Sequence, residues 1–272
     1  MIRELFHIGP LSISPFGVML VAAFFSAFWI LRGGMRHLGV GDDDDASALV
    51  FAAGFGGILG GKIYYAVLYG DLALLWSRAG LVWYGGLIGG SIGFLWMLRS
   101  RRLSGWPVLD AAAPALAFGY AVGRMGCFLV GDDYGHPTGL PWGMVFREGL
   151  PPTQSRYLQD YFGVAVDPAL IQEGGWVAVH PTQLYETAIA LVIFVIGRHL
   201  LMRRPPTGTV FGVVLALMSV ERFGVEFLRA KDDRFFGPFT VAQAISVALL
   251  LVGMALVARA RRARRARRAG EP

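Results

Sequence analysis

The chain of 272 residues is 55% hydrophobic and only 16% charged, which is too apolar for an ordinary soluble domain and indicates an integral membrane protein. Its formal net charge of +6 does not indicate nucleic-acid binding, because residues 259–272 hold seven arginines and one glutamate while residues 1–258 sum to zero. The single cysteine, Cys127, excludes an intramolecular disulfide.

Seven apolar segments are long enough, or nearly so, to cross ~30 Å of hydrocarbon. They lie at roughly 15–32, 46–69, 81–98, 107–129, 182–202, 207–228 and 239–258. The first lacks a convincing cleavage site after it, so we expect it to be retained and not removed as a signal peptide. The sequence therefore predicts an all-α polytopic membrane protein with seven transmembrane helices in a single membrane domain, residues 1–272.

The arginine clusters between these segments lie on one side of the predicted membrane. They follow segments one, three, five and seven, at Arg32 and Arg36, at Arg99, Arg101 and Arg102, at Arg198, Arg203 and Arg204, and in the tail. The positive-inside rule makes that side cytoplasmic, which predicts an outside N-terminus and a basic cytoplasmic tail over residues 259–272. We expect the tail to contact anionic lipid.

Two loops have distinct predicted roles. Asp42 to Asp45, in the first cytoplasmic loop, are interpreted as a solvated turn and helix cap for the second segment. Residues 130–181 form the longest loop, on the outside, and contain proline, glycine and several aromatic residues. A loop of that length is usually a small folded element that carries function, so we predict a head segment there.

Ionisable side chains inside apolar segments are costly and therefore indicate function. Such residues are Lys62, Arg124, Glu186, Arg222 and Glu226. On a helix, Arg222, Glu226 and the following Arg229 share one face. An internal ion pair is one interpretation, but two arginines for one carboxylate leave a positive group free for an anion. Arginine suits a phosphate because its planar guanidinium donates to two oxygens at once.

Three further stretches place polar groups near the ends of the segments. Residues 123–136 carry an arginine, glycines and two aspartates from an apolar segment into a polar loop, where an enzyme acting on a lipid headgroup would hold its reactive groups. His180 to Glu186 predict a helix start with proline in its first turn and a buried carboxylate one turn later. Tyr84 is either an interfacial anchor or a site residue. For Lys62, among glycines that permit close helix contact, packing and catalysis are equal alternatives.

With these motifs the chain resembles the prolipoprotein diacylglyceryl transferases, bacterial inner-membrane enzymes that begin lipoprotein maturation. The resemblance extends over nearly the whole length. Its motifs are Ile8-Gly9-Pro10-Leu11, Gly17, Gly85 to Gly90, Gly123-Arg124-Met125-Gly126 with Gly131 and Gly135, His180 to Glu186, and Arg222 to Phe227 with Arg229. The Gly-Arg-x-Gly motif followed by a glycine-closed polar turn is the most specific of them.

The resemblance implies a reaction and its partners. The family moves the diacylglyceryl group of phosphatidylglycerol to the thiol of the lipobox cysteine in a preprolipoprotein signal peptide, and releases glycerol 1-phosphate. It implies membrane lipids as surroundings, no nucleic acid, no metal and no cofactor. It also implies the bacterial inner membrane, with the N-terminus and the head segment, residues 130–181, in the periplasm.

The resemblance also implies roles for individual residues. Arg124 and Arg222 would hold the phosphate and the headgroup, Glu226 would orient Arg222, and Glu186 with Gln183 would complete a polar floor. Gly126, Gly131 and Gly135 would let the backbone approach the lipid. The expected catalytic residues are Arg124, Arg222, Glu226, Tyr84 and Asp132. The expected substrate-binding residues are Gly126, Gly131, Gly135, His180, Gln183, Glu186 and Arg229.

The chain departs from the family pattern where a proton acceptor is expected. Family members have a histidine just before the Gly-Gly of segment three, where this chain has Tyr84. A tyrosine hydroxyl loses its proton in water only at alkaline pH, so it is a poor base without help. Either another group accepts the proton, with Asp132, Asp133 and His136 as local candidates, or the chain is a divergent paralogue with reduced or altered activity.

Other departures lie close by. Cys127 stands where the family has asparagine, Asp132 and Asp133 replace a turn that contains glutamate, and Met218 replaces a tyrosine. Cys127 could be a covalent lipid acceptor or a mimic of a lipobox, but we interpret it as an inert, packed thiol. A metal could bind to Asp132, Asp133 and His136, but we interpret these residues as a polar turn.

Two other functions compete with the transferase. A lipid or solute transporter would use intramembrane arginine and glutamate as a relay, but the sequence lacks the inverted repeat that such proteins often have. A non-catalytic lipid-binding paralogue would explain Tyr84. Formation of a diacylglyceryl adduct on a lipobox peptide separates these hypotheses.

Overall fold

The computed structural model describes residues 5–8, 11–77, 82–230, 234–236 and 239–269. Gly9 and Pro10 of the N-terminal motif, and the first residue of the predicted third segment, lie outside these residues. The described helices are α1 Pro15–Leu38, α2 Asp43–Tyr69, α3 Trp83–Ser100, α4 Gly105–Val130, α5 Ser155–Phe162, α6 Thr182–Met202, α7 Thr209–Val225 and α8 Val241–Ala269. Short 3-10 helices occur at Leu72–Trp76, Pro168–Leu170 and Glu173–Gly175.

Two small antiparallel hairpins accompany the helices. Strand β1, Phe6–Ile8, pairs with β2, Leu11–Ile13, and β3, Arg234–Phe236, pairs with β4, Phe239–Thr240. The described chain is otherwise helical or irregular, so the prediction of a helical membrane protein is confirmed at that level. The strands are too short to change this class.

Five of the described helices, α1, α2, α4, α6 and α8, are long and apolar enough to cross a membrane. The predicted third and sixth segments correspond to α3 and α7, which have 18 and 17 residues and are not among the five. The count of seven transmembrane helices therefore stays a prediction. In α8 the helix continues through the arginine-rich tail as far as Ala269.

The chain forms two compact units, one from Met1–Ser26 with Ala113–Pro272 and one from Ala27–Ala112. The single membrane domain that the sequence predicts stays a prediction. In the second unit, Asp42 caps α2 through a reciprocal hydrogen bond with Asp45, as expected. Asp43 in the first turn pairs with Arg32 at 2.7 Å and with Arg36.

Helices α2 and α3 of the second unit touch through their backbones. A Cβ atom added to Gly89 would lie 2.2 Å from the carbonyl oxygen of Gly56, and one on Gly60 would lie 2.3 Å from that of Gly85. The expectation that these glycines allow close helix contact is confirmed, since no side chain fits there. Lys62 donates a hydrogen bond from Nζ to the carbonyl oxygen of Ser77, which agrees with a packing role.

In the first unit, residues 130–181 have a small apolar core. Tyr134, Phe146, Leu158, Val177 and Val179 are buried together, and Tyr134 stacks on Phe146 with ring centroids 5.5 Å apart. Burial of Leu158 fixes α5 on this core. These residues give the segment a small core of its own, which holds the loop at the end of α4 in place. A periplasmic head over residues 130–181 stays a prediction.

Candidate active site

A left-handed turn at the end of α4 begins the candidate site. Gly131 has a φ of 78° and Asp133 a φ of 57°, so the chain reverses as soon as the helix ends. Glycine adopts this conformation without steric cost, which explains Gly131. The reversal brings Asp133 Oδ2 to 2.9 Å from Nη1 of Arg124, in the penultimate turn of the same helix.

Arg124 also binds α6. Its Nη2 lies 3.0 Å from Oε1 of Glu186, and its Nε donates to the hydroxyl of Tyr120 at 3.2 Å. Tyr120 in turn donates to the same Glu186 oxygen at 2.8 Å. Arg124 is 9% exposed and Glu186 is fully buried, so this pair is held in an environment of low polarity. Such a pair is strongly coupled because water screens it little.

Asp133 joins α4 to the segment that follows α7. Its Oδ1 accepts a hydrogen bond from Nη2 of Arg229 at 2.7 Å, while its Oδ2 binds Arg124. Nearby, Arg222 Nη1 lies 2.6 Å from Oε2 of Glu226, and Arg229 Nε lies 3.8 Å from the same oxygen. Glu226 thus contacts both Arg222 and Arg229, but α7 ends at Val225, so Arg229 does not share a helix face with them. The Arg222 side chain is 24% exposed, against 10% for Arg124 and 8% for Arg229.

The first turn of α6 holds the backbone of the Asp132-Asp133 turn. Gln183 is buried and donates from Nε2 to the carbonyl oxygen of Asp132, and Thr182 donates to that of Asp133 at 2.9 Å. His180 Nδ1 lies 3.3 Å from the hydroxyl of Tyr185, and partial burial lowers the pKa of His180. Gln183 therefore stabilises the turn by a hydrogen bond to the backbone carbonyl of Asp132.

Two of the predicted glycines have a packing explanation. A Cβ on Gly135 would lie 2.4 Å from the carbonyl oxygen of Leu228, where residues 135 and 229 form an isolated β-bridge. A Cβ on Gly126 would lie 3.0 Å from Cβ of Met19 in α1. Close backbone contact requires Gly135, and Gly126 fits the packing of α4 against α1. Their roles toward a lipid stay predictions.

Asp132 differs from Asp133 in its surroundings. Burial, and then the negative charge of Asp133, raise the pKa of Asp132 to about 6. Its Oδ1 is buried and has no hydrogen-bond partner among the described residues. Desolvation favours the neutral acid, and together with the charge of Asp133 it outweighs the hydrogen bond from Cys127 and the charges of Arg124 and Arg229, which lower the pKa of Asp132. At neutral pH the group is ionised but binds a proton more readily than an ordinary aspartate.

The thiol of Cys127, in the last turn of α4, lies beside the Asp132-Asp133 turn. Its Sγ is 3.9 Å from Nη1 of Arg124, and one ligand atom each of Cys127, Asp132 and Asp133 lie within 4.8 Å of one another. Both oxygens of Asp133 already bind arginines, so the arrangement is better explained by ion pairing than by a metal. Within the described residues this metal-like group does not include His136, which the sequence had suggested.

Tyr84 lies in the first turn of α3 and belongs to the unit Ala27–Ala112, whereas the cluster around Arg124 belongs to the other unit. Its catalytic assignment stays a prediction. Sequence reasoning missed Tyr120 and Glu221. Tyr120 precedes Arg124 by one helical turn, and Glu221 is a charged residue inside an apolar segment, which is the signal that identified Glu186.

Known proteins match this chain over most of its length. Residues 3–259 match the family model described as prolipoprotein diacylglyceryl transferase. A phosphatidylglycerol-prolipoprotein diacylglyceryl transferase of Geobacter sulfurreducens is 31% identical over 271 residues, 92% of each chain. One of Vibrio vulnificus is 33% identical over 267 residues, 93% of this chain and 89% of the relative. The chain belongs to the prolipoprotein diacylglyceryl transferase family.

Proposed function

We propose that the protein transfers the diacylglyceryl group of phosphatidylglycerol to the lipobox cysteine of a preprolipoprotein and releases glycerol 1-phosphate. The observation that carries this proposal is the cluster of Arg124, Arg222 and Arg229 at the ends of α4 and α7, with Asp133 between two of them. Three arginines at the end of apolar helices form a site for an anionic group close to lipid. The relatives described above are named for the same reaction.

The reaction sets clear requirements. The thiol sulfur attacks the glyceryl carbon, an S–C bond forms, and the C–O bond to phosphate breaks with its electron pair on oxygen. The thiol proton must pass to an acceptor, and the charge on the departing phosphate must be stabilised. Arg124 and Arg222 supply the second requirement. Arg222 is the most exposed of the three arginines, so it is the one best able to meet an incoming headgroup.

The acidic partners keep the arginines in position. Glu226 orients Arg222 through their 2.6 Å contact, and Glu186 orients Arg124 from the opposite side. Charged side chains at this depth are stable only when they are paired. We propose that Glu186 and Gln183 form the polar floor, that His180 binds the substrate, and that Gly126, Gly131 and Gly135 allow the backbone to lie close to the lipid.

Asp132 is the proposed proton acceptor. Its pKa is raised to about 6, and one of its oxygens is buried without a donor, so it can take a proton without losing a hydrogen bond. Asp133 is a weaker base because both of its oxygens are held by arginines. A base works best when its pKa lies near the working pH. Tyr84 is the alternative acceptor.

We propose that the protein crosses the bacterial inner membrane seven times, with a periplasmic N-terminus, a periplasmic head segment over residues 130–181 and a cytoplasmic tail over residues 259–272. The arginines that follow alternate segments support this orientation. It puts Asp132, at the end of α4, and Arg229, after α7, on the same periplasmic side. That is the side on which a secreted lipobox peptide would arrive.

A second candidate is a lipid-binding paralogue without transferase activity. Tyr84 favours it, because this residue occupies the position where the family has a histidine. Such a protein would bind phosphatidylglycerol through the same arginines but would leave the thiol unmodified.

The two functions are separated by one experiment. The purified protein is incubated in detergent with phosphatidylglycerol and a synthetic lipobox peptide. Mass spectrometry is then used to detect the diacylglyceryl adduct and the released glycerol phosphate. A peptide with serine in place of cysteine is the control. Binding of phosphatidylglycerol without an adduct from the wild-type protein would contradict the transferase and favour the paralogue.

A further inference from the structure

Glu221 is a buried carboxylate that the proposed mechanism does not use. It lies in α7 immediately before Arg222, and the residue is only 6% exposed. Its Oε1 is buried and has no hydrogen-bond partner within the part of the chain that the structure describes. An ionisable group in a membrane-spanning segment is costly, and its presence without a donor indicates a partner that comes from outside the chain.

Glu221 lies in the same polar cluster as the arginines. It interacts electrostatically with Glu186, Arg124, Arg222 and Arg229. Glu186 also has an oxygen without a hydrogen-bond donor. Its Oε1 accepts from Tyr120 and pairs with Arg124, while its Oε2 is buried without a partner among the described residues. Two carboxylates, one from α6 and one from α7, therefore each present a buried oxygen that has no donor in the described part of the chain.

A ligand can satisfy these oxygens by donating hydrogen bonds, because an unprotonated carboxyl oxygen is an acceptor. In the same cluster, Nη1 of Arg229 is buried and has no acceptor within the described residues. The two sets of unsatisfied atoms together match a headgroup that combines an anionic oxygen with hydroxyl groups. The glycerol phosphate headgroup has both.

We propose that Glu221, together with Glu186, forms a subsite that binds the hydroxyl groups of the lipid headgroup and selects glycerol over headgroups without hydroxyls. This inference rests on the proposed transferase function and names a specificity residue for it. Arginine contacts alone would hold any phosphodiester equally well, since they bind only the phosphate. The carboxylates would supply the discrimination, because a buried acceptor left unpaired by the wrong ligand is penalised.

The test is a competition between two donor lipids. Phosphatidylglycerol and phosphatidylmethanol with the same acyl chains have the same charge, but the second has no hydroxyl. Both are offered together with the lipobox peptide, and the released glycerol phosphate and methyl phosphate are measured by mass. In each case sulfur replaces the phosphate oxygen on the glyceryl carbon, and the thiol proton passes to the acceptor group. We expect the wild-type protein to favour phosphatidylglycerol about tenfold or more.

Variants of Glu221 then locate the preference. Glu221→Leu should bring the product ratio close to one, whereas Glu221→Gln, which keeps an acceptor oxygen, should retain part of it. Glu148→Gln changes an exposed carboxylate in the head segment and should leave the ratio unchanged. Because the ratio is measured within each preparation, partial unfolding would lower both products equally and would not imitate the effect.

The outcomes are distinguishable. If the wild-type protein forms adduct from both lipids at equal rates, or if Glu221→Leu keeps the full preference, the subsite proposal is wrong while the transferase function stands. If the wild-type protein forms no adduct from either lipid, the transferase function is wrong and the inference falls with it.

Discussion

Arg229 donates a hydrogen bond to Asp133 at 2.7 Å although 96 residues separate the two in the chain. The Arg229 side chain is 8% exposed and that of Asp133 is 42% exposed, so the pair lies where the buried cluster meets the surface. Asp133 also binds Arg124 at 2.9 Å. One carboxylate thus fixes two arginines at a set distance from each other, and a phosphate that meets both is bound by groups already in place.

Replacing the arginines should stop turnover. Arg124→Ala and Arg222→Ala each remove a guanidinium that would stabilise the departing phosphate, and we expect losses of about 100-fold or more in adduct formation. Arg124→Lys should restore little, because lysine cannot donate to two oxygens in parallel. Arg156→Ala, an exposed arginine of α5, serves as the control. Activity in Arg124→Ala equal to that of Arg156→Ala would remove Arg124 from the mechanism.

Neutralising Asp133 should destabilise the fold as well as the site. Asp133→Asn leaves Arg124 and Arg229 with less compensation, and because Asp133 is partly exposed we expect a modest loss of about 1–2 kcal/mol. The measurement is thermal unfolding in detergent, followed by the near-ultraviolet circular dichroism signal. Asp160→Asn, at an exposed position of α5, should leave the transition temperature unchanged. An equal shift in both variants would show that the bridge contributes nothing specific.

Turnover should depend on the ionisation of Asp132. A pKa of about 6 means that the base is ionised above that pH and protonated below it, so activity should fall as the pH drops through about 6. Asp132→Asn should lower turnover strongly and abolish that limb of the pH profile. Rates of adduct formation between pH 5 and 8 provide the measurement. An unchanged profile in Asp132→Asn, with loss of activity in Tyr84→Phe, would assign the proton transfer to the tyrosine.

Asp132→Asn, which should lower turnover, should raise the stability of the protein. Because the pKa of Asp132 is raised on folding, the folded state binds this proton more tightly than the unfolded state. The contribution of the group to stability is therefore present at acid pH and is lost as the pH rises toward 6. At pH 7, Asp132→Asn should raise the free energy of unfolding by about 1–2 kcal/mol while turnover falls. If Asp132→Asn left the free energy of unfolding at pH 7 unchanged or lowered it, the raised pKa of Asp132 would be contradicted.

Cys127→Ala should be tolerated. The thiol packs in the last turns of α4 beside Arg124, and no step of the proposed reaction uses it. We expect turnover within about threefold of the wild type, as for a small change in packing at a partly buried position. The rate of adduct formation, compared at equal amounts of folded protein, provides the check. Complete loss of activity in this variant alone would support a covalent role for Cys127.

Much of the fold follows from apolar length. Each of the seven predicted segments coincides with a helix. In a long apolar stretch that lipid shields from water, the backbone N–H and C=O groups must form hydrogen bonds with one another, as they do in a helix. The ends are less predictable. The sixth segment was placed at 207–228, whereas α7 ends at Val225, where Glu226 and Arg229 begin their ion pairs.

The partners within the site could not be predicted in the same way. The cost of buried charge identified Arg124, Glu186 and Arg222 from the sequence alone. Which carboxylate binds which arginine depends on how α4, α6 and α7 cross, and spacing along one helix does not contain that information. Asp133 illustrates this, since its partner Arg229 is remote in sequence. Glu221 was missed although the same criterion applied to it.

During synthesis, Asp133 leaves the ribosome 96 residues ahead of Arg229. Until α7 and the residues after it have been made, the end of α4 and its turn hold Arg124, Asp132 and Asp133, and the anion site lacks Arg222 and Arg229. A nascent or prematurely terminated chain in the membrane would therefore lack two of the three arginines and could not act on the surrounding lipid. Because Arg222 and Arg229 are synthesised after Arg124 and Asp133, activity is delayed until these two arginines have joined the site.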